Sequence, residues 1–193
     1  MKRRLLITAA LAGAALAACK EGPPAAADSK AAAAPVSVAA IEAEAKGFTV
    51  GSPMITRTVY VFFDAQCPHC GVLWESAKPL KPQAKFIWIP VGLLNKASTS
   101  QGAALLAAKD PAAAMDEHEA SMTARTGGIT AVGDLDAQKA AVDKNTALMN
   151  RFGFASIPSI VAVNAGNGAV VTHEGALATP ELAAFLGLAA PAK

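Results

Sequence analysis

Two cysteines separated by two residues, Cys67 and Cys70, directly follow an apolar run and constrain the fold more than any other feature of the chain. The run Val59 to Phe63 has the composition of a buried strand, and an apolar helical pattern begins at the cysteines. Cys67 is thereby placed in a first helical turn, where free backbone N–H groups and the helix dipole favour thiolate over thiol. The pattern predicts a redox-active pair with Cys67 as the nucleophile and Cys70 as the shielded resolving thiol.

Pro68 and His69 occupy the two positions between the cysteines. A His69 that is protonated or donates a hydrogen bond would lower the pKa of Cys67 and make the disulfide more oxidising. We therefore predict that Pro68 and His69 tune the pKa of Cys67. The alternative is a histidine that is only exposed at the helix start.

The first 19 residues have a basic start, an apolar run and a small-residue end, which are typical of an export signal and too short for a membrane-spanning helix. The end, Leu-Ala-Ala-Cys at positions 16–19, resembles the lipobox of bacterial lipoproteins. Residues 1–18 are thus predicted to be a signal peptide and Cys19 a lipid anchor to a membrane. Ordinary cleavage that leaves a free Cys19 is the alternative.

Charge and cysteine content argue against nucleic-acid binding and against a structural disulfide. Removing the three basic residues at positions 2–4 from the 17 Lys and Arg leaves 14, against 15 Asp and Glu, so no basic surface for nucleic acid is implied. With Cys19 assigned to the anchor, only Cys67 and Cys70 of the three cysteines remain. In an exported protein a single C-x-x-C pair indicates catalysis more than a structural bridge.

Composition also predicts the domain organisation. Residues 19–37 are rich in Ala and Pro with no periodic apolar face, which predicts a disordered, lipid-anchored linker. A short N-terminal segment, 38–57, leads into a single domain over 58–188, and 189–193 form a tail.

The apolar periodicity of this domain alternates between strand and helix patterns. Two strands, each buried on both faces, precede and follow the helix that starts at the cysteines. This order predicts a right-handed βαβ unit. Three Ala-rich helices then form an inserted helical layer at about 97–150, and an Asn-Gly hairpin and a capped helix complete the domain. The predicted bounds are helix 38–46, strands 58–63 and 85–91, helices 99–109, 111–125 and 134–152, strands 159–164 and 169–174, and a helix from Thr179 to Leu186.

This order of elements, with C-x-x-C at the first strand-to-helix turn, resembles the thioredoxin fold, an α/β fold with a central mixed sheet flanked by helices. Within that fold the chain is similar to exported Dsb proteins of the DsbC/DsbG type. The match covers about residues 48–187 and rests on the run 59–64, the Cys-Pro-His-Cys motif at 67–70, Trp74, the helical insertion and Ser-Ile-Pro-Ser at 156–159.

The resemblance implies a periplasmic thiol-disulfide oxidoreductase, an isomerase or reductase that exchanges disulfides with cysteines of exported proteins. A membrane electron donor of the DsbD type is implied as partner, and no cofactor beyond the Cys67–Cys70 disulfide. Pro158 is implied to be a cis proline facing the cysteines, and Ile157 to offer backbone groups to an extended substrate segment. The alternative for Pro158 is a proline that only starts a strand.

The chain departs from the family pattern in three ways. Only residues 38–57 remain where these isomerases have an N-terminal dimerisation domain. Val61 stands six residues before Cys67, where thioredoxin-like proteins often keep a buried acid, and Asp64 lies closer. The Pro-His dipeptide is that of the oxidase DsbA, whereas the downstream Ile-Pro is more like thioredoxin, so a DsbA-like disulfide-donating oxidase is the alternative function.

Two other classes compete with exchange chemistry. Cys67 and Cys70 with His69, His118 or His173 would offer metal ligands, but the sequence has no second C-x-x-C for a closed zinc site. A thioredoxin-fold carrier of Cu(I) stays open because thiolates suit that ion. The acidic run around His118 predicts a solvated helix face instead. A redox-inert binding lipoprotein would not need both cysteines.

Overall fold

The computed structural model describes residues 33–191, which contain a mixed sheet of five strands flanked by helices. The strand order is β1-β3-β2-β4-β5; β2 and β3 are parallel, and each other neighbouring pair is antiparallel. The thioredoxin-like fold predicted from the sequence is confirmed. The elements are α1 (Val38–Glu44), β1 (Phe48–Val50), β2 (Thr58–Phe63), α2 (Pro68–Ala77), β3 (Lys85–Pro90), α3 (Lys96–Ala107), α4 (Pro111–Thr123), α5 (Asp136–Arg151), β4 (Ser159–Val163), β5 (Val170–Glu174) and α6 (Thr179–Leu186).

Strand β2 lies at the centre of the sheet and is buried on both faces, as its apolar pattern predicted. Val59, Val61 and Phe63 belong to one hydrophobic cluster, and Tyr60 and Phe62 to a second on the opposite face. Helices therefore cover both faces of the sheet, and the strand carries the cysteines out of the core at its carboxyl end.

The insertion of three helices between β3 and β4 is present, but its helices do not form one layer. Met115 of α4 joins the first cluster, whereas Leu148 of α5 joins the second. Each helix has its own apolar stripe, and a sheet with two apolar faces needs helices packed against both of them. Helix α3 begins three residues before the predicted start because Asn95 and Ser98 form a capping box.

Strand β1 was not predicted. It pairs antiparallel with β3, with Phe48 opposite Trp88, and three residues are too few to show an alternating pattern. Asn145 of α5 fixes the preceding turn, because its Nδ2 donates to the carbonyls of Lys46 and Pro90 at 2.7 and 2.9 Å. The segment 38–57 thus contributes an edge strand to the sheet.

The carboxyl-terminal part follows the sequence prediction closely. The β4–β5 hairpin pairs Val163 with Val170 next to its turn. Helix α6 ends at Gly187, whose φ of 68° is the left-handed conformation that glycine adopts most easily. None of the helices described over 33–191 is long and apolar enough to cross a membrane.

Candidate active site

Cys67 and Cys70 lie where β2 passes into α2. Cys67 is the N-cap of the helix, and Pro68 occupies its first turn, where a missing N–H costs no hydrogen bond. The side chain of Cys67 keeps 6% of its exposure, whereas Cys70 is fully buried. Only Cys67 can therefore meet the sulfur of another protein.

The two thiols differ strongly in acidity. The pKa of Cys67 is lowered to about 6, chiefly by its side-chain hydrogen bond with Cys70; burial opposes this, and the backbone N–H groups of Cys70 and His69 add to it. Burial raises the pKa of Cys70 far above its ordinary range, and the interaction with Cys67 raises it further. At neutral pH the outer sulfur is mainly a thiolate and the inner one a thiol.

Pro68 and His69 are both exposed on the first turn of α2. The charge of His69 is the smallest of the causes that lower the pKa of Cys67, and its backbone N–H contributes more. The main tuning group is therefore Cys70, which the sequence analysis did not consider in that role.

The segment before β4 passes directly beside the outer cysteine. The Ile157–Pro158 peptide bond is cis, as the family resemblance implied, and the carbonyl oxygen of Ile157 lies 3.8 Å from Cys67 Sγ. The carboxylate of Glu174 in β5 fixes the two residues just before this segment, because it accepts hydrogen bonds from the backbone N–H groups of Ala155 and Ser156 at 2.8 and 2.7 Å. Backbone groups of Ile157 thus border the reactive sulfur.

Asp64, the residue after β2, organises the loops around the cysteines. It is fully buried, and its carboxylate accepts hydrogen bonds from the N–H groups of Gln66 at 2.8 Å, Leu93 at 2.7 Å and Leu94 at 3.0 Å. Val61, at the position where thioredoxin-like proteins often have an acid, is buried in the apolar core. Asp64 therefore fixes the loops around the cysteines, and its charge also raises the pKa of Cys70.

The prediction for His118 was wrong: its side chain is fully buried rather than solvated. Nε2 lies 2.6 Å from the carbonyl oxygen of Ala65, and Nδ1 accepts from Ile129 N at 3.2 Å. These partners require the neutral ring with its proton on Nε2, and burial lowers the pKa accordingly. The spacing of Met115 and His118, one turn apart on the same helix face, was the signal available in the sequence.

A cavity of about 710 Å³ opens beside Cys67, between α2 and α4. Its walls include Gly71 and Glu75 of α2 and Glu119 and Met122 of α4. Sequence analysis missed Glu119, because its acidic neighbours 116 and 117 suggest an exposed face. The helical insertion therefore forms one wall of the space in front of the reactive sulfur.

Two of the histidines considered as metal ligands, His118 and His173, are engaged away from the cysteines. Both ring nitrogens of His118 have backbone partners, and the ring of His173 packs 5.7 Å from that of Phe185. Over residues 33–191, no three His, Cys, Asp or Glu side chains are grouped so that they could hold a metal ion. The predicted signal peptide, the predicted lipid anchor Cys19 and the predicted linker up to residue 32 lie outside the described residues.

The thioredoxin-like domain family matches residues 55–190, and the chain belongs to this family. The thiol:disulfide interchange protein DsbG of Pseudomonas aeruginosa is 36% identical over 137 residues, which are 68% of this chain and 51% of that protein. DsbG of Escherichia coli is 40% identical over 65 residues, 33% of this chain and 26% of that protein. The chain thus spans about half, or less, of the length of these relatives.

Solved structures agree on the fold. The catalytic domain of Proteus mirabilis ScsC has a TM-score of 0.58 over 77% of this chain and 95% of that domain, at 17% identity. A disulfide interchange protein from Neisseria gonorrhoeae has a TM-score of 0.55 over 73% of this chain and 93% of that one, at 21% identity. At these identities the likeness shows the architecture alone.

Proposed function

We propose that the protein is a thiol-disulfide oxidoreductase in which Cys67 is the nucleophile and Cys70 the resolving thiol. The difference between the two thiols carries the proposal: Cys67 borders a cavity and has a pKa of about 6, and Cys70 is buried with a raised pKa. Two-step exchange needs such a pair, because the outer thiolate attacks the substrate first and the inner thiol reacts only after the mixed disulfide has formed. The similarity to DsbG supports the same chemistry.

In the forward direction, the Cys67 thiolate attacks one sulfur of a substrate disulfide, and the other substrate sulfur leaves as a thiolate. Cys70 then loses its proton and attacks Cys67 Sγ, which releases the second substrate sulfur as a thiolate. The substrate is reduced by two electrons and the enzyme is oxidised to the Cys67–Cys70 disulfide. A substrate sulfenic acid would react with Cys67 in the same way, with loss of water.

The acidity of Cys67 favours the isomerase or reductase direction. Its pKa of about 6 is nearer to that of thioredoxin, about 7, than to that of DsbA, about 3.5. A less stabilised thiolate makes a less oxidising disulfide. The Pro68-His69 dipeptide is the one observation that favours a DsbA-like oxidase, and the charge of His69 has only a small effect on Cys67.

Ile157 and Pro158 are the proposed substrate-binding residues. Because the Ile157 carbonyl lies 3.8 Å from Cys67 Sγ, an extended segment that pairs with the Ile157 backbone would bring its own sulfur to the thiolate. Recognition through backbone groups suits an enzyme that accepts cysteines in many exported proteins.

The relatives and the predicted export signal support a periplasmic location. We further propose that Cys19 is lipidated and anchors the domain to a membrane. The enzyme would be returned to its dithiol by a membrane electron donor of the DsbD type.

Cysteine variants test this function. Replacing Cys67 with Ser should abolish reduction of insulin and repair of scrambled disulfides, whereas Cys70→Ser should accumulate mixed disulfides with substrate. Cys19→Ser is the matched control, because it keeps the pair; it should retain full activity in solution and lose membrane association. Full activity of the Cys67 variant, or stoichiometric Cu(I) binding without turnover, would contradict the proposal. Equilibration with glutathione separates an oxidase from a reductase.

A further inference from the structure

The side chain of Glu119, from helix α4, lies against Gly71 of helix α2. A Cβ atom on Gly71 would stand only 2.1 Å from Glu119 Oε2, so the missing side chain is what lets the carboxyl group lie against the turn that holds both cysteines. Glu119 and Cys67 line the same cavity of about 710 Å³. The position of this carboxyl group is therefore set by both helices and faces the space that an attacked disulfide must enter.

The surroundings of Glu119 are mostly negative. Cys67, Glu75 of α2 and Asp116 of α4 share its cavity, and Lys78, the one cation that lines it among residues 33–191, pairs with Glu75 at 2.6 Å and Asp116 at 2.7 Å. Burial, followed by the charges of Cys67 and Glu75, raises the pKa of Glu119 to about 7. The carboxyl group therefore keeps its proton in a pH range where Cys67 has already lost its own.

We propose that Glu119 is the proton donor to the thiolate that leaves when Cys67 attacks a disulfide, an inference that rests on the exchange function proposed above. Cys67 forms a new S–S bond with one substrate sulfur while the S–S bond of the substrate breaks. The leaving sulfur takes the electron pair of the broken bond and then the proton of Glu119. The products are the mixed disulfide, a neutral substrate thiol and the Glu119 carboxylate.

The changes in charge during this step favour proton transfer from Glu119 when the leaving thiolate forms. Before the attack, the Cys67 thiolate helps Glu119 to hold its proton. The attack removes that charge from Cys67, so Glu119 becomes more acidic as the leaving thiolate appears. Protonation of that thiolate also makes the reverse attack on the mixed disulfide slower, because a thiol is a poor nucleophile.

The pH profile of single-turnover exchange tests the proposal. The reduced protein is mixed with bis(2-hydroxyethyl) disulfide, a neutral probe, and the loss of thiolate absorbance is followed from pH about 5 to about 9. The active form needs an ionised Cys67 and a protonated Glu119, so the rate should rise with a midpoint near 6 and fall with a midpoint near 7. Glu119→Gln should lack the falling limb and react about tenfold more slowly at the optimum.

Two further variants separate this role from a structural one. Glu117→Gln removes the same charge from an exposed position of α4 and should keep the bell-shaped profile. Gly71→Ala should displace the Glu119 carboxylate, a flexible side-chain end, and lower the rate as Glu119→Gln does. A Glu119 that acted only through its charge would make Cys67 more nucleophilic on ionising, and the rate would then rise above pH 7.

The outcomes are distinct for the two proposals. An absence of exchange by the wild-type protein would overturn the proposed function. Exchange with a falling limb that persists in Glu119→Gln, or with no falling limb in the wild type, would overturn the role of Glu119 and leave the exchange function standing.

Discussion

The segment from Asp64 to Cys67 is held on two sides that are built differently. The sheet side, formed by β2, the Asp64 carboxylate and the Ile157–Pro158 segment, uses residues at or next to paired strands, and its groups are fixed by the local turn and by strand pairing. The insertion side, formed by α3 and α4, presents side chains from far along the chain, such as His118 on Ala65 and Glu119 in the cavity. The sheet side places the sulfurs, and the insertion side supplies groups that titrate.

The largest expected effect is on the sheet side. Asp64→Ala leaves three backbone N–H groups, those of Gln66, Leu93 and Leu94, without the buried carboxylate that accepts from them. We expect the free energy of unfolding in urea to fall by about 3 kcal/mol or more, since hydrogen bonds to a charged group are among the stronger ones. Asp64→Asn keeps one oxygen and should lose less. A loss below about 1 kcal/mol would show that the loops do not depend on Asp64.

The corresponding change on the insertion side should cost less. His118→Leu fills the space but leaves Ala65 O and Ile129 N unpaired, so we expect a loss of about 2 kcal/mol in the free energy of unfolding. A loss as large as that of Asp64→Ala would contradict the ranking of the two sides.

His118 should also make stability depend on pH. Because burial lowers its pKa in the folded protein below the ordinary 6.5, the unfolded chain binds the proton first as the pH falls. The contribution of His118 is thus complete above about pH 6.5 and is lost progressively below it. Urea titrations at several pH values should show a larger loss for the wild type and for the control His173→Gln than for His118→Leu, in which only the pKa shifts of groups such as Cys67 and Glu119 remain. Equal slopes in all three would refute the assignment.

The smallest expected effects are changes in the pKa of Cys67. Cys70→Ala removes the main cause of its low pKa, and alkylation of Cys67 by iodoacetamide at pH about 6 should slow about fivefold. His69→Ala removes only the weakest cause and should slow it less than about twofold. The reverse order would mean that His69, and with it a DsbA-like character, dominates the site.

Prediction from the sequence succeeded where the signal is local. The two-sided apolar run of β2, the C-x-x-C turn and the Asn-Gly hairpin each depend on neighbouring residues, and the predicted bounds of β2 and of the two hairpin strands agree with the structure to within one residue. It failed where the partner is distant. His118 lies in an acidic run, which predicts an exposed helix face. The neighbouring residues in the sequence do not indicate that the backbone of Ala65 and Ile129 will contact its ring.

The sequence by itself predicted the class of chemistry proposed above, because a thiol pair at a helix start favours an outer thiolate in almost any fold. It also determined the order of the strands and helices other than the three-residue strand β1, since alternation and helical periodicity are properties of the chain. Only the tertiary structure decided how the two thiols divide their roles and which groups surround them. Burial and contact at close range set each pKa: the hydrogen bond with Cys70 lowers the pKa of Cys67 more than the charge of His69 does, and burial together with the charge of Cys67 raises the pKa of Glu119, which lies in the space left by Gly71.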